Sequence, residues 1–567
     1  MAVIFQSMDS IEEKAWEETL GEMKKQGKLD SHNLIEWREE YISAINSEID
    51  VDSQAMANQF KIKKRVERLN ESAVARIIQQ VYTVKVIDMT NGLATSKHAD
   101  ASRFAVGIYD EHDGIYYVQE EAFEHAVGIL NAKADRHFTA RVIDRLRERI
   151  TTEDGVTQQE HDPDIIPFKN GLFNYKTKKL TPHTPEHVFL WRVNADWDEN
   201  APEPKLALDD GTPWNFNDWL LEIMSGVEED RELIYEIIGS LVRPEVDWQT
   251  SIWFYSSQGA SGKGTLLALF RAIMGSASVD INLSEMGEDF KLEELYESQA
   301  KAIFADENDV GVYIDKMAAY KALSDGSRLQ INRKGRRVIS MTWRGRIAQC
   351  LNEKPQFSDR SLSAMRRNRC VEFKQHYTED TKKREIKTRL LVDPRVVQWV
   401  LKHVLKDIPD YYQIRETENT RNLASEIMEN NNPVQQFVIE MLHNTPSDDA
   451  NDIYTGPGVD HLPFETLYAI YLDWKAVRIP DSKPQSIQKF KELLKTALET
   501  DTEWEARPRG TIKITDKYTN DIMNNPWLAL DAIGARNTRY SESKDAAKRL
   551  MLQFDKPRYD GGIWRRK

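Results

Sequence analysis

Ser256-Ser257-Gln258-Gly259-Ala260-Ser261-Gly262-Lys263-Gly264-Thr265 follows the apolar run Ile252-Trp253-Phe254-Tyr255 and precedes Leu266-Leu267-Ala268-Leu269-Phe270. The first run reads as a buried strand and the second as a helix, with the glycine-rich stretch as the loop between them. In that context the backbone N–H groups of the loop and the positive end of the helix dipole can wrap a triphosphate. Lys263 can then reach the outer phosphates. Gln258 to Thr265 are therefore candidate ATP-binding residues. The pattern G-x-x-x-x-G-K-[ST] would place Gly at 257 and a hydroxyl at 264, where this chain has Ser257 and Gly264. The hydroxyl expected to face Mg²⁺ is thereby displaced to Thr265. Taken alone, the loop also reads as a glycine-rich turn with an incidental lysine.

The next two strands carry the partners such a loop needs. Ala302-Ile303-Phe304-Ala305 ends in Asp306-Glu307. Asp306 is placed to hold the metal, directly or through water, and Glu307 to polarise an attacking water. Ile347-Ala348-Gln349-Cys350-Leu351 ends in Asn352, which can touch the γ-phosphate or that water. Arg366 and Arg367 follow; paired arginines there can serve as a finger into a neighbouring subunit's ATP site or form a solvated basic face.

Between the second and third strands, Ser327 to Leu351 contains Arg328, Arg333, Lys334, Arg336, Arg337, Arg344 and Arg346, and no Asp or Glu. The chain as a whole carries a net charge of −15. That charge argues against a protein that coats nucleic acid over its whole surface and requires any DNA contact to be local. Arg333, Lys334, Arg336 and Arg337, around a hairpin tip at Gly335, are the candidate DNA-binding residues.

Outward from this core, residues 1–95 read as a helical domain: Trp16, Leu20 and Met23, then Leu34, Trp37, Tyr41 and Ile45, recur at helical spacing. Residues 96–235 read as α+β, with a hairpin about Asp113-Gly114, strands about Asn170-Gly171, and amphipathic helices near Trp219 and from Glu229 to Val242. Residues 236–380 alternate strand and helix, the pattern of a parallel sheet. A charged helical lid or connector is expected at 381–430 and a last domain at 431–567. The length of 567 residues suits such a multidomain α/β chain. No apolar run approaches the length of about 18 residues that a membrane helix needs, and Met1 to Phe5 is not followed by a signal-peptide pattern. Cys350 and Cys370 lack metal-ligand spacing, and a reducing compartment is plausible.

With Lys263, Asp306-Glu307, Asn352 and the arginine pair in this order, the sequence resembles the superfamily 3 helicases. More closely, it is similar to the phage and plasmid (poxvirus-type) primase–helicase family, over roughly residues 100–515. Ile166-Pro167-Phe168-Lys169-Asn170-Gly171-Leu172 and Leu180-Thr181-Pro182-His183-Thr184-Pro185 resemble that family's pre-helicase segment. Asn352-Glu353-Lys354-Pro355 and Arg366-Arg367-Asn368-Arg369-Cys370-Val371-Glu372-Phe373 resemble its post-motif segment. The resemblance implies an AAA+ P-loop core, a homo-hexameric ring using ATP and Mg²⁺ on single-stranded DNA, and origin DNA and a separate primase or other replication proteins as partners. It also implies the cytoplasm of a bacterial host and a C-terminal winged helix. The winged helix fits Pro433 to Ala497, with Gln485 to Leu498 as its recognition helix and Arg558 to Arg566 as a late hairpin wing with a basic tip. No strand of the type apolar-Asp-x-Asp-apolar precedes the helicase-like part, so primase activity is not expected. Two other readings stand beside the helicase: a P-loop nucleotide kinase, since GKGT occurs there too, and a non-motor DNA-binding protein with a degenerate ATP site.

Overall fold

The structure is a computed structural model, and it describes residues 7–55, 64–91, 103–308, 313–314, 317–335, 338–357, 367–430, 433–442, 461–478, 485–499, 501–512 and 558–565. The chain divides into two compact units. The larger takes in residues 1–310, 316–353 and 366–420; the smaller takes in 311–315, 354–365 and 421–567.

In the larger unit, the helix Met8–Gln26 starts where the Ser7 side chain accepts from the Ser10 N–H, and stops at Gly27, which adopts φ 68°. It buries Ile11, Ala15, Thr19 and Met23, one residue per turn. These pack on the helix Leu34–Ala55, where Trp37 stacks on Trp16 with ring centroids 5.6 Å apart. The same core continues through the helix Glu71–Val81, the antiparallel strands Val84–Asp88, Phe104–Asp110 and Ile115–Tyr117, and the helices Glu121–Leu130 and Arg136–Glu153. The expected boundary at 95/96 therefore cuts through one hydrophobic core: Trp37 and Val86 share it with Val127 and Leu146. The helical repeats before residue 95 are real, but their apolar faces are completed only by residues after it.

The second core holds the central sheet. Its strands are β1 (Ser251–Tyr255), β2 (Ser278–Asp280), β3 (Ala302–Ala305), β4 (Arg346–Leu351) and β5 (Asn368–Glu372). They lie in the order β2-β3-β4-β1-β5, every neighbouring pair parallel. Strands buried on both faces read as continuous apolar runs, and β1, β3 and β4 are buried at every position. Parallel pairing puts all five carboxyl ends on one edge, where ligands of open α/β sheets sit. The helix Lys263–Met274 leaves β1 and covers the sheet with Leu266, Leu267, Phe270 and Ile273.

This core does not end at the sheet. It includes Ile166, Phe168 and Phe173 of the strands Ile165–Phe168 and Gly171–Asn174, Trp219 of the helix Phe216–Ile223, the helix Glu228–Leu241, and Leu390, Val400 and Leu405 farther on. The expected boundary at 235/236 falls inside the helix Glu228–Leu241, and the expected connector at 381–430 supplies core residues up to Ile414. Cys350, which belongs to this core, and Cys370 are both free and buried.

Glu245 joins distant parts of this unit. It is 6% exposed, with Lys301 Nζ at 2.9 Å, His161 Nδ1 at 2.9 Å and Arg344 Nε at 3.9 Å. Burial alone would raise its pKa; Lys301 and His161 outweigh burial and hold it down at about 2.

The smaller unit has its own core of Val434, Phe437, Leu467, Tyr471, Trp474, Phe490, Leu494, Trp504 and Ile563. Its helices Pro433–Leu442, Phe464–Arg478 and Ile487–Glu499 pack with a three-stranded antiparallel sheet. Arg558–Arg565, within the segment expected as a late hairpin wing with a basic tip, is one continuous strand in the middle of that sheet. It pairs with His461–Pro463 on one side and Trp504–Ile512 on the other. Gly562 is needed for close approach and not for a turn, because a Cβ there would meet the Leu462 carbonyl oxygen at 2.3 Å. Among the described residues, no helix is long and apolar enough to cross a membrane.

Replacing Glu245 with Gln leaves the Lys301 ammonium buried beside a neutral amide. The expected cost is about 3 kcal/mol, read as a lower midpoint in urea. Because the folded-state pKa of Glu245 lies below its ordinary value of 4.5, its contribution is complete above about pH 4.5 and disappears as pH falls toward 2. The Glu245→Gln variant should therefore lose its stability deficit in that acid window; a deficit independent of pH would show that the charge is not what stabilises the fold.

Candidate functional site

The glycine-rich loop sits where the sheet topology brings its partners. Ser256 N–H donates to Leu351 O at 3.1 Å, so the loop leaves β1 beside the end of β4. Positive φ angles at Gly259 (66°), Ala260 (43°) and Gly262 (96°) turn the chain back into the helix Lys263–Met274. Ala260 is not a glycine, and its left-handed backbone needs support. The Tyr377 N–H donates to Ala260 O at 2.9 Å, and His376 Nδ1 lies 3.3 Å from Gly259 O. The helix begins at Lys263 with no side-chain cap on its first turn, which leaves N–H donors directed at the loop's concavity. Gln258 is on the exposed shoulder.

Lys263 is 6% exposed. Its Nζ donates to Asn352 Oδ1 at 3.0 Å and to Ser261 Oγ at 3.4 Å. Asn352 in turn donates from Nδ2 to Glu307 Oε1 at 3.2 Å. Loop lysine, β4 asparagine and β3 carboxylate thus form one hydrogen-bonded chain. Burial pushes the Lys263 pKa down, and the nearby Glu307 charge opposes that shift. Asn308 stiffens the end of β3 by donating to Gln349 Oε1 and Cys350 O, and by accepting from the Leu283 N–H.

Asp306 lies on the side of Gly264: a Cβ at position 264 would sit 3.7 Å from Asp306 Oδ1. Position 264, which has no side chain, is therefore the one that addresses Asp306. Two cations that sequence reasoning missed approach this carboxylate. Arg271 Nη1 donates to Asp306 Oδ1 at 2.9 Å while its Nη2 pairs with Asp280, and Lys387 Nζ stands 4.0 Å from Asp306 Oδ2. Arg271 follows Gly264 by seven residues, two helical turns, so the spacing alone puts both on one stripe.

A cavity of about 880 Å³ is lined by the loop from Gly259 to Thr265, by Asp306, Glu307 and Asn352, and by Leu208, Trp214, Trp219, Tyr377 and Ile386. A polar cradle and an apolar, aromatic wall in one cavity suit a base-bearing phosphate compound. Among the described residues, no group of three His, Cys, Asp or Glu could hold a metal. One carboxylate beside a phosphate cradle nevertheless fits Mg²⁺, which is bound largely through phosphates and water.

The other expected site residues are not all brought together. Arg367 pairs through two of its guanidinium nitrogens, Nε and Nη2, with the Asp325 carboxylate, with Nη2 at 2.6 Å from Oδ2. Arg366, Arg336 and Arg337 lie outside the described residues. The strands Arg328–Ile331 and Ile339–Thr342 pair antiparallel, as a hairpin requires, and Lys334 is exposed at its turn. Arg333 departs from the expected phosphate contact: it is 5% exposed, its guanidinium 5.2 Å from the Tyr296 ring centroid. Arg346 is likewise internal and donates to Thr250 O at 2.6 Å.

Residues 254–367 match a family of unknown function, DUF5906, and residues 58–224 match a family described as D5 N terminal like. Three solved structures of the NrS-1 C-terminal region, two of them an apo A form, are 12%, 12% and 11% identical to this chain, with TM-scores of 0.39, 0.40 and 0.37. They cover 79%, 88% and 88% of this chain and 98%, 100% and 100% of their own. No curated protein matches the chain. The D5 N terminal-like match points to a phage primase–helicase-type replication protein.

Proposed function

We propose that the chain is an ATP-driven DNA motor of the superfamily 3 type, with an AAA+ core, working as a hexameric ring in the replication of a phage or mobile element. The observation that carries this reading is the hydrogen-bonded chain from Lys263 through Asn352 to Glu307 at 3.0 and 3.2 Å. Three motifs more than forty residues apart meet there, at the carboxyl ends of three strands. A nucleotide kinase would share the loop, but the order of Asn352 after Asp306-Glu307 favours a ring ATPase.

In this reading the loop from Gly259 to Thr265 binds the triphosphate, and Lys263 transfers its hydrogen bond from Asn352 to the outer phosphates. Glu307 polarises the attacking water, and Asn352 orients it. Asp306 would hold Mg²⁺, which supplies charge neutralisation at the phosphates. The apolar wall of Trp214, Trp219 and Tyr377 takes the base. Because Arg367 is engaged with Asp325, Arg366 is the better candidate for a finger into a neighbouring site. From Pro433 on, the described elements run helix, strand, two helices and two strands, an order that supports a winged helix that binds origin DNA, with Ile487–Glu499 as its recognition helix. Exposed Lys334, with Arg336 and Arg337, would grip phosphates of the translocated strand.

The decisive experiment is ATP hydrolysis with and without single-stranded DNA. Lys263→Ala should lower the DNA-stimulated rate on the order of 100-fold or more. Stimulation by a nucleoside in place of DNA would turn the assignment to a kinase, and no hydrolysis at all would sink both. Arg366→Ala protein should bind ATP without hydrolysing it, and mixing it with Lys263→Ala protein should recover activity; no recovery at any ratio counts against a shared site. Replacing Lys334, Arg336 and Arg337 together should weaken DNA binding and flatten its dependence on salt, by about one slope unit for each phosphate no longer neutralised.

A further inference from the structure

We propose that Arg271 and a divalent cation compete for the same oxygen of Asp306, so that Arg271 is a gate on metal entry. The proposal rests on the reading of Asp306 as the metal-facing carboxylate. Arg271 Nη1 is 2.9 Å from Asp306 Oδ1. That oxygen is also the one directed at position 264, at 3.7 Å from where a Cβ would be. In phosphate loops of the common pattern, position 264 would carry the hydroxyl that approaches Mg²⁺. The oxygen Arg271 holds is thus the oxygen that faces the metal position, and the two cannot share it.

The pair is built to exchange. The Arg271 and Asp306 side chains are 29% and 46% exposed, so neither is locked by burial. Arg271 keeps a second carboxylate, Asp280, on its other terminal nitrogen. Leaving Asp306 therefore does not strand the guanidinium without a counter-charge, and the displacement avoids the penalty of an unpaired buried ion. A second cavity, of about 1240 Å³, opens beyond Asp306 and is lined by Arg271, Asp280 and Glu285; it gives the side chain room to withdraw. Lys387, 4.0 Å from the other oxygen of Asp306, adds a weaker positive charge on the same side. Arg271 is here a positioning residue: it acts through Asp306.

Direct Mn²⁺ binding to the full chain, followed by electron paramagnetic resonance without nucleotide, tests the gate. Arg271→Gln should bind Mn²⁺ roughly two- to fivefold more tightly than the wild type, the range expected for removing a partly exposed ion pair. Arg271→Lys should stay near the wild type. Asp280→Asn, which leaves Arg271 wholly on Asp306, should bind more weakly, and Asp306→Asn added to Arg271→Gln should abolish the gain. Unchanged or weaker Mn²⁺ affinity in Arg271→Gln, or a gain that survives Asp306→Asn, overturns the proposal. Metal-free binding of a fluorescent ATP analogue is measured alongside. If the wild type binds none and Lys263→Ala changes nothing, the nucleotide reading fails, while the Mn²⁺ series still decides the gate.

Discussion

A buried ammonium is the constraint on which the site depends. Lys263 sits at the start of a helix whose own dipole already places positive charge there, and it is 6% exposed. Burying such a charge without a partner is costly, and the partners come from two other strands. Asn352 accepts from Lys263 at 3.0 Å and donates to Glu307 at 3.2 Å. This arrangement is possible only because β3, β4 and β1 are adjacent and parallel, so that their carboxyl ends share one edge. The sheet order and the lysine's electrostatics are the same fact seen at two scales. A slip of one residue in β4 would displace Asn352 at its end and leave the ammonium only the longer contact to Ser261 Oγ at 3.4 Å.

The regions flanking the sheet answer to the loop in the same way. Ile223, at the end of the helix Phe216–Ile223, stands 3.2 Å from where a Cβ on Gly262 would be. Tyr377 holds the Ala260 carbonyl from the far side and donates its hydroxyl to Glu222 of that helix at 2.9 Å. The segment before the sheet and the segment after it are therefore joined across the loop. That is why one hydrophobic core runs from Ile115 to Ile414.

Short-range patterns were the legible part of the sequence. The apolar runs of β1, β3 and β4 announce buried strands, and the residues at their ends announce chemistry. Both depend on neighbours a few positions apart. What the sequence did not disclose depends on partners far along the chain. The amphipathic helices before residue 95 look self-sufficient, but their apolar faces are closed by Val127 and Leu146. Gly562 belongs to a segment expected as a late hairpin wing and is where two strands crowd, a contact with Leu462 a hundred residues away. Arg333 and Arg346 belong to a basic run that reads as a surface, yet both are internal, because an Arg side chain can cover an aromatic ring or cap backbone carbonyls as readily as it can meet phosphate. Lys387 reaches Asp306 from a segment eighty residues downstream, and no spacing rule would find it.

The two departures of the loop from the common pattern can now be weighed by geometry. Ser257 is exposed and does not line the cavity, so its replacement of a glycine leaves the cavity's lining unchanged. Gly264 is different. It removes a side chain from the helix position that addresses Asp306, and the same stripe of the helix, two turns on, supplies Arg271 to that carboxylate. A hydroxyl at 264 would meet Asp306 Oδ1 and Lys387 Nζ, each 3.7 Å from its Cβ. With glycine there, the local positive charge at Asp306 is supplied by Arg271 and Lys387. The departure at 264 is therefore coupled to the two cations around Asp306, and the three positions form one electrostatic unit.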